Sequence, residues 1–317
     1  QDSIAQVTKA KAEKQAKLAE AARQKAIKQA IAEDTTSLFY NALRGQAESI
    51  VLKNEKIELT LNTKGATVEK AVIKGFDDYK GNKEITLFDG EDQKLSYTLS
   101  AKETNISTSD LYFVPSAVTD STVTFTAEAA QGKSLTIEYR LGADYMLHMK
   151  MYAEGMQGLF APGTQTMDVN WKDKCRQQEK GFMFENRYAT LTYHNTDGGT
   201  DYLSETSAEE DEPTEEKTDW IAFKNQFFSA VMIAKDNFDK GALLTSVPQE
   251  KGSGYLKQYE AKLKAFFDPS GNKPSEFEFY YGPNDFRLLK RVEKESAFDK
   301  ELEMQRLVYL GWPLFRI

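Results

Sequence analysis

Cysteine, histidine and proline are scarce in this 317-residue sequence, with one, two and eight copies respectively. A single cysteine excludes an internal disulfide framework. Cys175, in WKDKCRQQ, has no cysteine neighbour to complete a zinc or redox motif and reads as an unpaired structural thiol. Neither histidine has a second ligand at the i+4 spacing of a helical metal pair. His148 shares a strand face with Met146 and Lys150 and reads as a surface residue, while His194, in LTYHNTDGG, precedes a turn. No G-x-S-x-G elbow occurs, and Gly252-Ser253-Gly254 does not open into a phosphate-binding loop and helix. The sequence thus implies no metal and no cofactor. Its 49 acidic residues leave a glycoside-type carboxylate pair open, because separation in space does not show in sequence. Basic surplus is missing too. A net charge of −8 argues against nucleic acid, whose protein partners carry a clustered basic face. No run approaches the roughly 20 apolar residues of a membrane helix.

What is present falls into three textures. Residues 1–48 are rich in alanine, lysine, glutamine and glutamate, with no proline and no glycine before Gly45. These are strong helix formers, but Ile27, Ile31 and the alanines make only a thin apolar stripe, so the spacing predicts a polar helical arm, either a solvated spacer or a juxtamembrane stalk. From Ser49 the period becomes two. Ile57, Leu59 and Leu61 alternate with polar residues, and so do Leu135, Ile137 and Tyr139, then Tyr145, Leu147, Met149 and Met151, then Phe277, Phe279 and Tyr281. Glycine-bearing turns separate these runs, which predicts a large antiparallel double-sheet body over 49–281. The run SETSAEEDEPTEEK places seven acids between Glu205 and Glu216 and reads as a solvated loop. It lacks the ligand spacing of a calcium loop. Trp171, Trp220, Tyr188 and Tyr193 read as strand-end or loop aromatics, with core packing the default and a sugar-binding groove the alternative.

The third texture, 282–317, begins at Gly282-Pro283-Asn284, where Asn284 or Asp285 can cap a helix. Phe286, Leu289 and Val292, then Phe298, Leu302 and Tyr309, recur at helical spacing, which predicts an amphipathic tail packed on the β body. The chain then ends on VYLGWPLFRI, an apolar close to a sequence of mean hydropathy −0.59. Such an ending is either packed down or the cut edge of something that continues.

Four strings in order resemble the large periplasmic domain of bacterial YidC-type membrane protein insertases. They are Leu59-Thr60-Leu61 with the turn Asn62-Thr63-Lys64-Gly65 and Val68-Glu69-Lys70-Ala71; Trp220, Ala222 and Gln226-Phe227-Phe228; Gly282-Pro283 followed by an acidic–aromatic pair and Leu289-Lys290; and Gly311-Trp312 with Pro313-Leu314-Phe315. The resemblance implies a mainly β fold, a mutarotase-like β-supersandwich with a helical C-terminal segment and a helical N-terminal arm. It implies no enzymatic activity, a place on the periplasmic side of the bacterial inner membrane, and an accessory role in inserting and folding membrane proteins. The implied partners are the membrane-embedded insertase core of the same chain, Sec translocon components, nascent membrane proteins, and a lipid interface at the C-terminal end. In the family the C-terminal helical part matters more for insertion than the sandwich does. By position, the interface residues it implies are Gly282, Pro283, Phe286, Leu289, Tyr309, Gly311, Trp312, Pro313, Leu314 and Phe315. The arm would follow a membrane span, and its seven basic against four acidic residues over 1–33 are unusual for a translocated segment. The competing expectation is a sugar-binding or aldose-epimerase-like protein on the same scaffold, which would need a positioned acid and base. A third, an adhesin-like domain on a helical stalk, leaves the apolar ending unexplained.

Overall fold

The computed structural model describes residues 2–203, 209–210 and 213–308. The helix α1, Asp2–Glu33, is about 48 Å long at 1.5 Å per residue. The side chains of Lys9 to Ala30 are all exposed, as its polar composition requires. It touches the body through Lys28, whose ammonium lies 2.8 Å from Asp110. The link that follows is not free: Phe39 and Ala42 are buried, and Phe39 N–H donates to the Ala129 carbonyl at 3.1 Å.

The body is mainly β, as the alternating runs predict. A four-stranded sheet takes Ser49–Lys53, Ile57–Asn62, Thr67–Lys74 and Glu84–Asp89 in chain order. A 15-stranded sheet curls beneath it, with Thr166–Arg176, Tyr255–Phe266, Phe228–Phe238, Ser275–Pro283, Met146–Glu154, Lys133–Leu141 and Thr122–Ala130 side by side at its centre. Their pairing is antiparallel wherever the register is defined. The burial pattern B-i-B-i-B-i of Ile57–Asn62 follows directly from its apolar/polar alternation. The turn into the next strand uses Gly65 at φ +85°, a left-handed conformation open to glycine.

The core lies between the two sheets. Phe88 of the small sheet meets Tyr281 of the large one edge to face at 5.5 Å, and Tyr139 donates its hydroxyl proton to the Ala66 carbonyl at 2.8 Å. Trp171 and Trp220 sit inside strands, not at their ends, and both are fully buried. Trp171 stacks on Phe223 at 3.9 Å. Core packing therefore accounts for both tryptophans.

Register places the points where the N-terminal link and the C-terminal segment meet the large sheet at one end of it. Ala130 pairs with Lys133, Ser134 with Glu154, Met151 with Ser275, and Phe277 with Ala234. Phe39 joins at Ala129, and the C-terminal segment crosses at Ala234, whose carbonyl accepts from Lys300 Nζ at 2.8 Å. The opposite end holds the pairs Phe228–Pro283 and Lys224–Thr190.

Candidate functional site

The C-terminal segment starts where the strand Ser275–Pro283 ends. Gly282 lies inside that strand because a Cβ there would come within 2.8 Å of Tyr145 Cγ and of the Tyr280 ring and hydroxyl. Tyr280 uses the space to donate to the Pro283 carbonyl at 2.6 Å. Asn284 then ties down the neighbouring turn. Its backbone N–H donates to the Phe227 carbonyl at 2.6 Å, and its side chain accepts from Ser229 Oγ at 2.6 Å. Asp285 is the helix cap, its carboxylate accepting Leu288 N–H at 2.7 Å.

After the short helix α2, Phe182–Tyr188, helix α3 spans only Phe286–Glu295, shorter than the tail that the helical spacing predicts. It buries Leu288, Leu289 and Val292; Phe286 is half-buried beneath Lys290, whose Nζ lies 4.8 Å from the ring centre. The helix ends because the sheet offers its next donors a better acceptor. Glu278, with no exposed surface, accepts Ser296 Oγ–H at 2.5 Å and Ala297 N–H at 2.8 Å. Beyond this point Phe298, Leu302, Met304 and Leu307 are still buried, but in an irregular chain and a short 3₁₀ turn, Met304–Leu307.

That irregular stretch is held by polar groups. Glu293, on α3, accepts Leu302, Glu303 and Met304 N–H at 2.6, 3.0 and 3.3 Å. Trp220 Nε1–H donates to the Leu302 carbonyl at 2.7 Å. Lys300 donates to the Ala234 carbonyl, to Asn237 Oδ1 and, at 3.1 Å, to Asp219. Asp219 also pairs with His194 Nδ1 at 3.0 Å, and His194 Nε2 lies 3.5 Å from Glu303, an electrostatic approach without hydrogen-bond geometry. Glu303 itself sits at φ +48°.

Burial pushes the Glu278 carboxyl up, but the hydrogen bonds from His148, Ser296 and Ala297 outweigh it and leave the group below its ordinary value. Asp219 behaves alike, with burial opposed and exceeded by His194 and Lys300. For Lys300, burial pulls the ammonium down and exceeds the upward pull of Asp219. Hydrogen bonding to the charged form thus keeps both carboxylates ionised within the fold.

Of the ten interface positions, the structure brings Gly282, Pro283, Phe286 and Leu289 together at the root of the segment. Tyr309, Gly311, Trp312, Pro313, Leu314 and Phe315 lie outside the described residues. One reading needs correction. His148 is not a free surface residue: its Nδ1 lies 2.9 Å from the buried Glu278. His194 is 2% exposed, stacked on Trp220 at 5.7 Å. Each carboxylate paired with a histidine also holds the C-terminal segment, so neither pair faces an open groove. The sequence signal for this second buried face is the apolar run Phe228–Ala234, broken only by Ser229, which does not alternate and is buried throughout, as in a strand covered on both sides. Among the described residues no group of three His, Cys, Asp or Glu could hold a metal, and no helix is long and apolar enough to cross a membrane.

The family model of the YidC periplasmic domain matches residues 49–315. The membrane protein insertase YidC of Phocaeicola vulgatus is 43% identical over the whole of this chain, which covers 50% of that protein. That of Bacteroides fragilis is 38% identical over 91% of the chain, covering 46% of the relative. That of Porphyromonas gingivalis is 31% identical over 100% of the chain and 50% of the relative. The chain therefore spans about half the length of the curated relatives it matches. Among solved structures, a galactose mutarotase-like protein from Lactobacillus casei is similar at TM-score 0.44 and 12% identity, over 74% of this chain and 100% of that one. A putative aldose 1-epimerase from Escherichia coli is similar at TM-score 0.45 and 7% identity, over 75% and 100%. Likeness at that level says nothing about a site or an activity.

Proposed function

The chain belongs to the YidC periplasmic domain family, and on that premise we propose that it is the periplasmic, non-enzymatic part of a bacterial inner-membrane insertase. In this reading residues 1–48 lead in from one membrane span, 49–281 form the sandwich, and 282–317 lead to the next span. The domain assists insertion and folding of membrane proteins, in contact with the membrane core of the same chain, with Sec translocon components and with nascent membrane proteins. The tail residues Tyr309, Gly311, Trp312, Pro313, Leu314 and Phe315 meet the lipid interface, where tryptophan and tyrosine are enriched.

The observation that carries this reading is the latch. A segment that must transmit position from a soluble body to a membrane part has to be fixed to that body, and residues 284–308 are fixed by Glu278, Glu293, Lys300 and Trp220 together. The aldose-epimerase alternative needs a histidine and a carboxylate open to a sugar, and here both such pairs lie under the latch.

The test is complementation. Cells depleted of their own insertase receive the full-length protein, whole or lacking residues 284–308. Restored insertion by the whole protein, lost on the deletion, is expected. Insertion unaffected by the deletion, or sugar epimerisation by this chain that is lost in His194→Ala, overturns the reading.

A further inference from the structure

The end of the sandwich that the N-terminal link meets at Ala129 and the C-terminal segment meets at Ala234 carries a cavity that the latch does not use. It has a volume of about 660 Å³ and lies between the loop after Met146–Glu154 and the turn after Tyr255–Phe266. The two walls are joined at their base, where Thr166 pairs with Phe266 and Phe267 N–H donates to the Gln165 carbonyl at 2.9 Å. Phe160 and Phe267, both buried, meet edge to face at 5.4 Å and form an apolar floor.

The chemistry of the mouth is uneven. Residues 155–167 run without a single charged side chain, in a sequence that is 28% charged, and Ala161 and Pro162 stand exposed on that loop. Two ammonium groups flank it. Lys102 Nζ lies 3.0 Å from the Gly158 carbonyl, and Lys273 Nζ lies 4.4 Å from the Phe266 ring centre and 2.5 Å from Asp236. The acid in the lining, Asp268, is occupied by its own turn, accepting Ser270 N–H, Ser270 Oγ–H and Lys273 N–H at 2.9, 2.6 and 2.9 Å. A lysine has three donors, so both ammoniums keep their present partners and still offer N–H groups to an incoming anion.

Resting on the reading that both chain ends run into a bilayer, we propose that this end of the sandwich faces the lipid surface and that the cavity takes the headgroup phosphate of an anionic phospholipid. An uncharged loop can lie at headgroup depth without desolvating a charge. Lys102 and Lys273 then replace water around the phosphate, while the rings of Phe160 and Phe266 border the glycerol and first acyl carbons.

The test uses the 317-residue chain and vesicles of phosphatidylethanolamine with or without phosphatidylglycerol, read by flotation. Binding should require phosphatidylglycerol and weaken about 5-fold for Lys102→Gln or Lys273→Gln and about 30-fold for both, the weight of one and two lysines near an anionic surface. The same ratio should hold after removal of residues 308–317, which separates the cavity from the apolar tail. Soluble glycerophosphoglycerol, titrated by NMR, should shift the Gly158 and Lys273 amides more strongly than inorganic phosphate. Equal affinity of the double variant for the vesicles overturns the proposal, and equal shifts by inorganic phosphate reassign the cavity to free phosphate and overturn its lipid role. The titration does not depend on insertase activity. Failed complementation with headgroup binding intact therefore counts against the functional reading alone.

Discussion

Glu293→Ala removes the acceptor on which the backbone of residues 302–304 depends. Three N–H groups bond to that carboxylate, at 2.6, 3.0 and 3.3 Å. Hydrogen bonds to a charged acceptor contribute about 1.5–3 kcal/mol each, and an N–H left buried without a partner costs about 1–3 kcal/mol. The longest of the three counts for little, and Glu293 is only half-buried, so roughly 2 kcal/mol is lost locally. Burial of Leu302, Met304 and Leu307, each at most 1% exposed, contributes about 1.5–3 kcal/mol per side chain and keeps the segment seated. The expected result is specific: amide exchange at Leu302, Glu303 and Met304 accelerates by about 30-fold, while exchange in the strand Ser275–Pro283 is unchanged. Unaltered exchange at the three amides would refute the role assigned to Glu293. Acceleration throughout the sheet would show instead that the segment is part of the global folding unit.

Other perturbations follow from the same contacts. Gly282→Ala places a methyl group within 2.8 Å of two tyrosines and should cost about 1–3 kcal/mol, read as a lower denaturant midpoint with unchanged m-value. Trp220→Phe keeps most of the ring but leaves the Leu302 carbonyl without its donor, at about 1–2 kcal/mol; retained stability in urea titration would count against that bond. Because Glu278 and Asp219 have lowered folded pKa values, their contribution is complete above the ordinary carboxylate value of about 4. It is lost as pH falls through the lower folded values, so proteolysis at residues 296–308 should rise in acid before the sheet melts. Glu185 runs the other way. Burial, opposed by N–H bonds from Glu179 and Gln178, pushes it to about 7, so its contribution is full below its ordinary value of 4.5 and is lost as pH rises through 7. Glu185→Gln should flatten the melting temperature across that window, and an unchanged pH profile would reject the shift.

The sheet was legible because alternation and burial share one cause. Wherever one strand face was solvated, as in Ile57–Asn62, the apolar residues announced the core side by themselves. Legibility failed where a strand is covered on both faces. Glu278 alternates correctly with Phe277 and Phe279 and so reads as solvent-facing, yet the segment after α3 packs over it. His148 reads as a surface residue for the same reason, since its face is closed only by the tertiary contact of its partner Glu278 with Ser296 and Ala297. The helical spacing past Glu295 was real as a pattern of burial: Phe298 and Leu302 are both in the core. Periodicity cannot show that Glu278 and Glu293, far apart in sequence from the donors they accept, hold that stretch out of the helix. The cap was simpler. Asp285 at the start of an apolar run is a local signal, and the local geometry obeys it.

The latch between the C-terminal segment and the sandwich is tested most directly in the full-length protein, by combining Glu293→Ala with Lys300→Met and measuring membrane protein insertion in insertase-depleted cells. Lys300 bonds to Ala234, Asn237 and Asp219, so the pair of changes removes two of the polar holds on residues 300–304 and leaves the bond from Trp220 to the Leu302 carbonyl. A folded sandwich by circular dichroism, together with insertion reduced well below that of either single variant, is the predicted result. Full insertion by the double variant, with exchange confirming that residues 300–308 have come loose, would contradict it.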